Sequence, residues 1–134
     1  MRVDGGCHCG RITYRAEIDP QLVELCHCTD CQVMSGSAFR ILVPTAESNV
    51  ELLSGMLKTY VKTGESGNKR IQAFCPECGT HIYSTSVGEG SRTFGLRVGA
   101  IKQRHKLPPT KQYWVRSAHG WVMDLDDIEK VLTQ

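Results

Sequence analysis

The chain has 134 residues, 40% of them hydrophobic and 22% charged, with a net charge of +2. That length suits one domain, residues 1–134, burying about two-thirds of the surface its unfolded form exposes. The charge is too small and too scattered to favour nucleic acid or an acidic membrane surface as partner.

Met1–Gly6 has no apolar run of the kind a secretion signal carries, and stretches such as Ile41-Leu42-Val43 are too short to span a bilayer. The expected compartment is a reducing cytoplasm, where thiols stay free or bind metal. The seven cysteines are an odd number, which a framework of disulfides alone does not leave.

In chain order, Arg11 to Ile18 alternates without a break, so Ile12, Tyr14, Ala16 and Ile18 are expected on one face of a strand. Pro20 ends it, and Leu22 to Leu25 reads as a short strand leading into Cys26. Ala38 to Val43 reads as a strand stopped by Pro44. Val50–Leu53 and Leu57–Lys62 flank Ser54-Gly55, the composition of a hairpin. Arg70–Phe74 runs into Cys75-Pro76-Glu77-Cys78 and His81–Val87 runs out of it, a zinc ribbon-like pair of strands. Thr93–Val98 alternates again, Pro108-Pro109 breaks the chain, and Gln112–Val115 reads as a last strand. Only the tail has helical spacing: Leu125, Ile128, Val131 and Leu132 share a face, with Asp124 or Asp126 as N-cap. The class expected is mainly β, a small antiparallel zinc-stabilised fold with a short C-terminal helix.

The cysteines fall in blocks of two, three and two: Cys7 and Cys9; Cys26, Cys28 and Cys31; Cys75 and Cys78. A structural zinc site is normally closed by four ligands, and a C-x-x-C turn supplies two of them. Cys75 and Cys78 therefore need a second pair. Cys7 and Cys9, with Gly5, Gly6 and Gly10 around them, offer one; Cys26 and Cys28 offer another. If the first pair is used, Cys26, Cys28 and Cys31 remain together. Three protein ligands with a fourth position open to water or substrate is the pattern of catalytic zinc. A redox pair of Cys26 and Cys31 lacks the βαβ context that such motifs have.

The histidines carry less. His8 and His27 lie between cysteines and are expected to point away from a metal, and His81, His105 and His119 have no evident partner. Arg40, Arg70 and Arg97 are candidates for substrate carboxylates, with a solvated face the simpler expectation for each.

Three stretches together resemble the glutathione-dependent formaldehyde-activating (GFA) family, which includes the centromere protein V domain. They are Gly6-Cys7-His8-Cys9-Gly10, Cys26-His27-Cys28-Thr29-Asp30-Cys31-Gln32 with Gly36-Ser37-Ala38-Phe39, and Phe74-Cys75-Pro76-Glu77-Cys78-Gly79-Thr80. The resemblance implies an Mss4-like (β-tent) fold and two zinc ions per chain. One is structural, on Cys7, Cys9, Cys75 and Cys78; the other is catalytic and exchangeable, on Cys26, Cys28 and Cys31. It also implies a carbon–sulfur lyase or synthase acting on a thiol–aldehyde adduct such as S-hydroxymethylglutathione, with glutathione as the small-molecule thiol. The alternative is a non-enzymatic zinc-binding module for a protein or nucleic-acid partner.

Overall fold

The computed structural model describes residues 1–134. Strand β1 (Arg2–Gly6) pairs antiparallel with β2 (Thr13–Glu17), and β2 pairs with β5 (Val50–Ser54) to complete a three-stranded sheet. The alternation read in the sequence is realised: Ile12, Tyr14, Ala16 and Ile18 are all buried. Gly5 is required beneath Tyr14, because a Cβ at that position would collide with the Tyr14 ring.

The second sheet has seven strands in the order β10-β3-β4-β9-β8-β7-β6. These are β3 (Glu24–Cys26), β4 (Arg40–Ala46), β6 (Lys58–Thr63), β7 (Lys69–Phe74), β8 (His81–Ser86), β9 (Thr93–Arg97) and β10 (Lys111–Tyr113). All neighbours are antiparallel except β10, which lies parallel to β3. The two sheets share one core, with Val3, Tyr14 and Ala16 from one, Val43, Ile82, Phe94 and Leu96 from the other, and Ile12 just ahead of β2. At the core's edge the half-buried Tyr83 ring stacks on Phe94, 3.9 Å between centroids.

Three expectations are corrected. Val50–Leu53 and Leu57–Lys62 do not form a hairpin: β5 pairs with β2 and β6 with β7, in different sheets. Gly55 makes the passage between them in a left-handed conformation, φ 85°, pressed against the Arg11 carbonyl. Strand β4 runs through Pro44 to Ala46. This is tolerated because β3 covers only Arg40–Leu42, so at Pro44 the strand has a neighbour on one side alone. The C-terminal helix is absent; Leu125, Ile128, Val131 and Leu132 are exposed and the tail is irregular. A short amphipathic segment with no surface to bury its apolar face has too little to offset the cost of helix nucleation.

The short helix of the fold lies instead at α1 (Thr29–Ser35). Cys28 caps its N-terminus and Gly36, at φ 64°, ends it with amide bonds back to the Gln32 and Val33 carbonyls. No helix is long and apolar enough to cross a membrane.

Candidate metal centres

The first cluster is made by two turns. Gly10 and Gly79 adopt left-handed conformations, φ 84° and 74°, and their amides donate to the Cys7 and Cys75 carbonyls. The turns bring the sulfurs of Cys7, Cys9, Cys75 and Cys78 within 4.8 Å of one another. Cys7 and Cys9 are 3.5 Å apart at Sγ, and Cys9 and Cys75 are 3.7 Å apart. Sulfurs placed tetrahedrally at about 2.3 Å from zinc stand roughly 3.8 Å from each other, so this donor set fits that ion. The cysteines are free, without disulfides.

Donors surround these sulfurs. The Ile12 amide donates to Cys7 Sγ at 3.2 Å. Thr80 Oγ1 accepts the His8 amide at 3.1 Å and donates to Cys78 Sγ at 3.2 Å. The Thr80 hydroxyl, aided by the backbone amides of Cys9 and Thr80, holds the Cys78 thiol down to about 5. A thiolate rather than a thiol is what binds metal. The alternative quartet of Cys26 and Cys28 with Cys75 and Cys78 is not assembled.

The second cluster is Cys26, Cys28 and Cys31, again with sulfurs within 4.8 Å of one another. Cys26 ends β3, Cys28 is the N-cap of α1, and Cys31 lies in its first turn. Cys28 Sγ accepts the Cys31 amide at 3.3 Å. The Cys31 thiol donates toward Cys26 and holds the Cys26 thiol below its ordinary value; the same contact, with burial, pushes Cys31 up.

A cavity of 270 Å³ opens on all three of these cysteines, and a 510 Å³ groove adjoins it across Cys28, Lys62, Arg70 and Trp114. Lys62 pairs with Asp30 of α1 at 2.9 Å, joining the helix to β6. Gln32 Nε2 donates to the carbonyls of His27 and Ser117 at 2.7 and 3.0 Å, pinning the segment after β10 against the helix. Trp114 lines both spaces and is the one non-glycine residue with positive φ, 55°. Such strain persists where the surroundings enforce it.

The arginines need correction. Arg40 and Arg97 are buried, 7% and 6% exposed, and line the 270 Å³ cavity together with the half-buried Arg70. Sequence patterning missed this because an arginine at a strand end resembles any solvated arginine. Gln72 and Ser84, which share the cavity wall, carried no signal at all. His27 is buried with Nε2 2.7 Å from Gln112 Oε1 and its ring edge-on to Phe39, outside the sulfur cluster. His81 stacks on Phe74 beside a 440 Å³ cavity that Arg40 and Arg97 also line; His8, His105 and His119 are exposed.

Fold and site together define a small two-sheet β protein with two all-cysteine clusters able to hold a metal ion, one closed by four sulfurs and one of three sulfurs facing a cavity. The chain matches the profile of the family described as "Glutathione-dependent formaldehyde-activating enzyme" over residues 2–117, and it belongs to that family. The crystal structure of a Rhodobacter sphaeroides protein has the same fold, with a TM-score of 0.62 at 19% identity, over 84% of this chain and 99% of that one. No curated protein matches the sequence.

Proposed function

We propose that the protein is a zinc-dependent carbon–sulfur lyase that joins and separates a thiol and a small aldehyde, with glutathione as the thiol. The observation that carries this is the difference between the two clusters. Four sulfurs complete a tetrahedral shell, whereas three leave a position open, and the three-sulfur cluster faces a 270 Å³ cavity.

In this assignment Cys7, Cys9, Cys75 and Cys78 hold a structural zinc that ties the turn after β1 to the β7–β8 turn. Cys26, Cys28 and Cys31 hold the catalytic one. A zinc ion there supplies a Lewis-acidic position at which a thiol or carbonyl oxygen is polarised. The remaining work falls to the chain. The Cys31 amide orients Cys28 through its N–H···S bond. Trp114 and the Lys62–Asp30 pair border the way from the groove to the sulfurs, positioning the thiol partner and limiting water. The new bond joins the thiol sulfur to the carbonyl carbon, and the thiol proton ends on the carbonyl oxygen; the reverse step restores both.

Family membership supports the thiol and the aldehyde class, and the free cysteines fit a reduced compartment such as the cytoplasm. The runner-up is a zinc-shaped binding module, for which the exposed aromatic residues Tyr113, Trp114 and Trp121 offer a surface.

Exchange NMR on isotopically labelled formaldehyde and glutathione separates these readings. Acceleration over the spontaneous rate by zinc-loaded protein, abolished in Cys28→Ala, is the expected result. No acceleration at full zinc occupancy would remove this reaction and leave the binding module.

A further inference from the structure

Arg40 and Arg97 donate to one and the same acceptor, Gln72 Oε1, at 3.2 and 2.9 Å. Arg40 Nη2 and both Nε and Nη1 of Arg97 are buried without any partner. Neither arginine forms an ion pair, nor does the neighbouring Arg70; Lys62 has Asp30, and the Glu24 carboxylate at the rim accepts from Tyr113. Burial and the adjacent Arg40 charge hold the Arg97 guanidinium down to about 9.

A pair of buried cations on a neutral amide costs stability unless something else answers the charge. The cysteine cluster answers part of it. Three thiolates with a divalent ion carry a net charge of −1, against +2 from Arg40 and Arg97 alone. A positive charge is left over, on planar donors whose fork suits a carboxylate. It faces the same 270 Å³ cavity as the three sulfurs, and Arg40 stands directly opposite Cys26 in the β3–β4 register.

The geometry points to Arg40 and Arg97 as a receptor for a carboxylate carried by the aldehyde substrate, next to the carbonyl that meets the thiol. The substrate class is a short aldehyde acid of the glyoxylate type. This rests on the carbon–sulfur reading above and narrows it. The small cavity holds the acid, and the body of the thiol partner lies along the 510 Å³ groove. The reaction is addition of R–SH across the carbonyl of OHC–COO⁻. The C–S bond forms, the carbonyl π bond breaks, the proton moves from sulfur to oxygen, and the carboxylate is unchanged. No oxidant or reductant is needed.

The test is calorimetric titration of the metal-retaining protein with glyoxylate, mercaptoacetate and formaldehyde, repeated on Gln72→Glu and Arg97→Met. Gln72→Glu supplies the missing carboxylate from within, and Arg97→Met removes an unpaired buried charge. Both variants are expected to melt at or above the wild-type temperature with metal content unchanged, and to bind glyoxylate at least about tenfold more weakly. Equal glyoxylate affinity in all three proteins overturns the receptor. So does loss of metal and of melting temperature in Arg97→Met, which would assign the arginines to steadying the thiolates. Variant-dependent binding of mercaptoacetate but not glyoxylate overturns the aldehyde-acid assignment and gives the carboxylate to the thiol. Formaldehyde–glutathione and glyoxylate–glutathione exchange on the same samples keep the two readings apart. Exchange without variant-dependent glyoxylate binding overturns the receptor alone; variant-dependent binding without exchange of either aldehyde supports the receptor and removes the lyase.

Discussion

The Thr80 hydroxyl donates to the Cys78 sulfur at 3.2 Å while accepting the His8 amide at 3.1 Å. One side chain thus ties together the two halves of the four-cysteine cluster, with His8 and Thr80 lying 72 residues apart in the sequence. Thr80→Val keeps the shape and removes the donor. The Cys78 thiol, held near 5 mainly by that hydroxyl, then rises toward its ordinary value of 9.0. A thiol of higher pKa keeps its proton to higher pH, so protons displace metal sooner as the solution is acidified. Zinc release followed with a chromogenic chelator is expected to begin at higher pH in Thr80→Val and to be restored in Thr80→Ser.

The two clusters differ in what the fold asks of them. Cys75 is fully buried and cross-links the β7–β8 turn to the N-terminal turn, so Cys75→Ala is expected to cost about 3 kcal/mol or more through the lost metal and to abolish cooperative unfolding. Cys28 contributes a helix cap, whose loss in Cys28→Ala costs about 1 kcal/mol; Cys28→Ser keeps an oxygen acceptor and costs less. Thermal unfolding by circular dichroism checks this order. If Cys28→Ser unfolds the chain as badly as Cys75→Ala, the division into structural and reactive clusters fails.

Gly5 and Gly10 are glycines for different reasons. At Gly5 a Cβ meets the buried Tyr14 ring, so Gly5→Ala is expected to cost about 1–3 kcal/mol by overpacking. At Gly10 no atom is in the way, and Gly10→Ala costs roughly 1 kcal/mol through the positive φ alone. Urea titration of both variants is expected to show the larger loss at Gly5.

Glu47 receives two bonds from Arg92, from Nε at 2.9 Å and from Nη2 at 2.6 Å. The Arg92 guanidinium holds the Glu47 carboxyl below its ordinary value of 4.5. A depressed native pKa contributes stability that is present above the unfolded value and lost as pH falls through the native one. The melting-temperature difference between wild type and Arg92→Met is therefore expected to be constant above pH 4.5 and to shrink below it. A difference that does not change with pH would show that the pair contributes only packing, as when Arg92 covers the Phe94 ring.

What the sequence determined by itself is what short-range pattern encodes. Alternation at Ile12, Tyr14, Ala16 and Ile18 named a buried face, because successive side chains of a strand point to opposite sides. The C-x-x-C turn between β7 and β8 and the grouping of the cysteines were legible because metal ligands on a turn have strict spacing. Local signals misled where the decision was long-range. Ser54-Gly55 suits a hairpin, yet pairing partners across the core drew β5 and β6 into different sheets. The apolar stripe from Leu125 to Leu132 suits a helix, yet nothing packs against it.

Only the tertiary structure decided which sulfurs meet. The approach of the turn after β1 to the β7–β8 turn selects Cys7 and Cys9 over Cys26 and Cys28 as partners of Cys75 and Cys78. The same holds for Arg40, Arg97 and Gln72, three residues on three strands that share one buried cavity wall. The charge of the two arginines is set apart from water by neighbours far along the chain, and no local pattern records desolvation that arises from distant contacts.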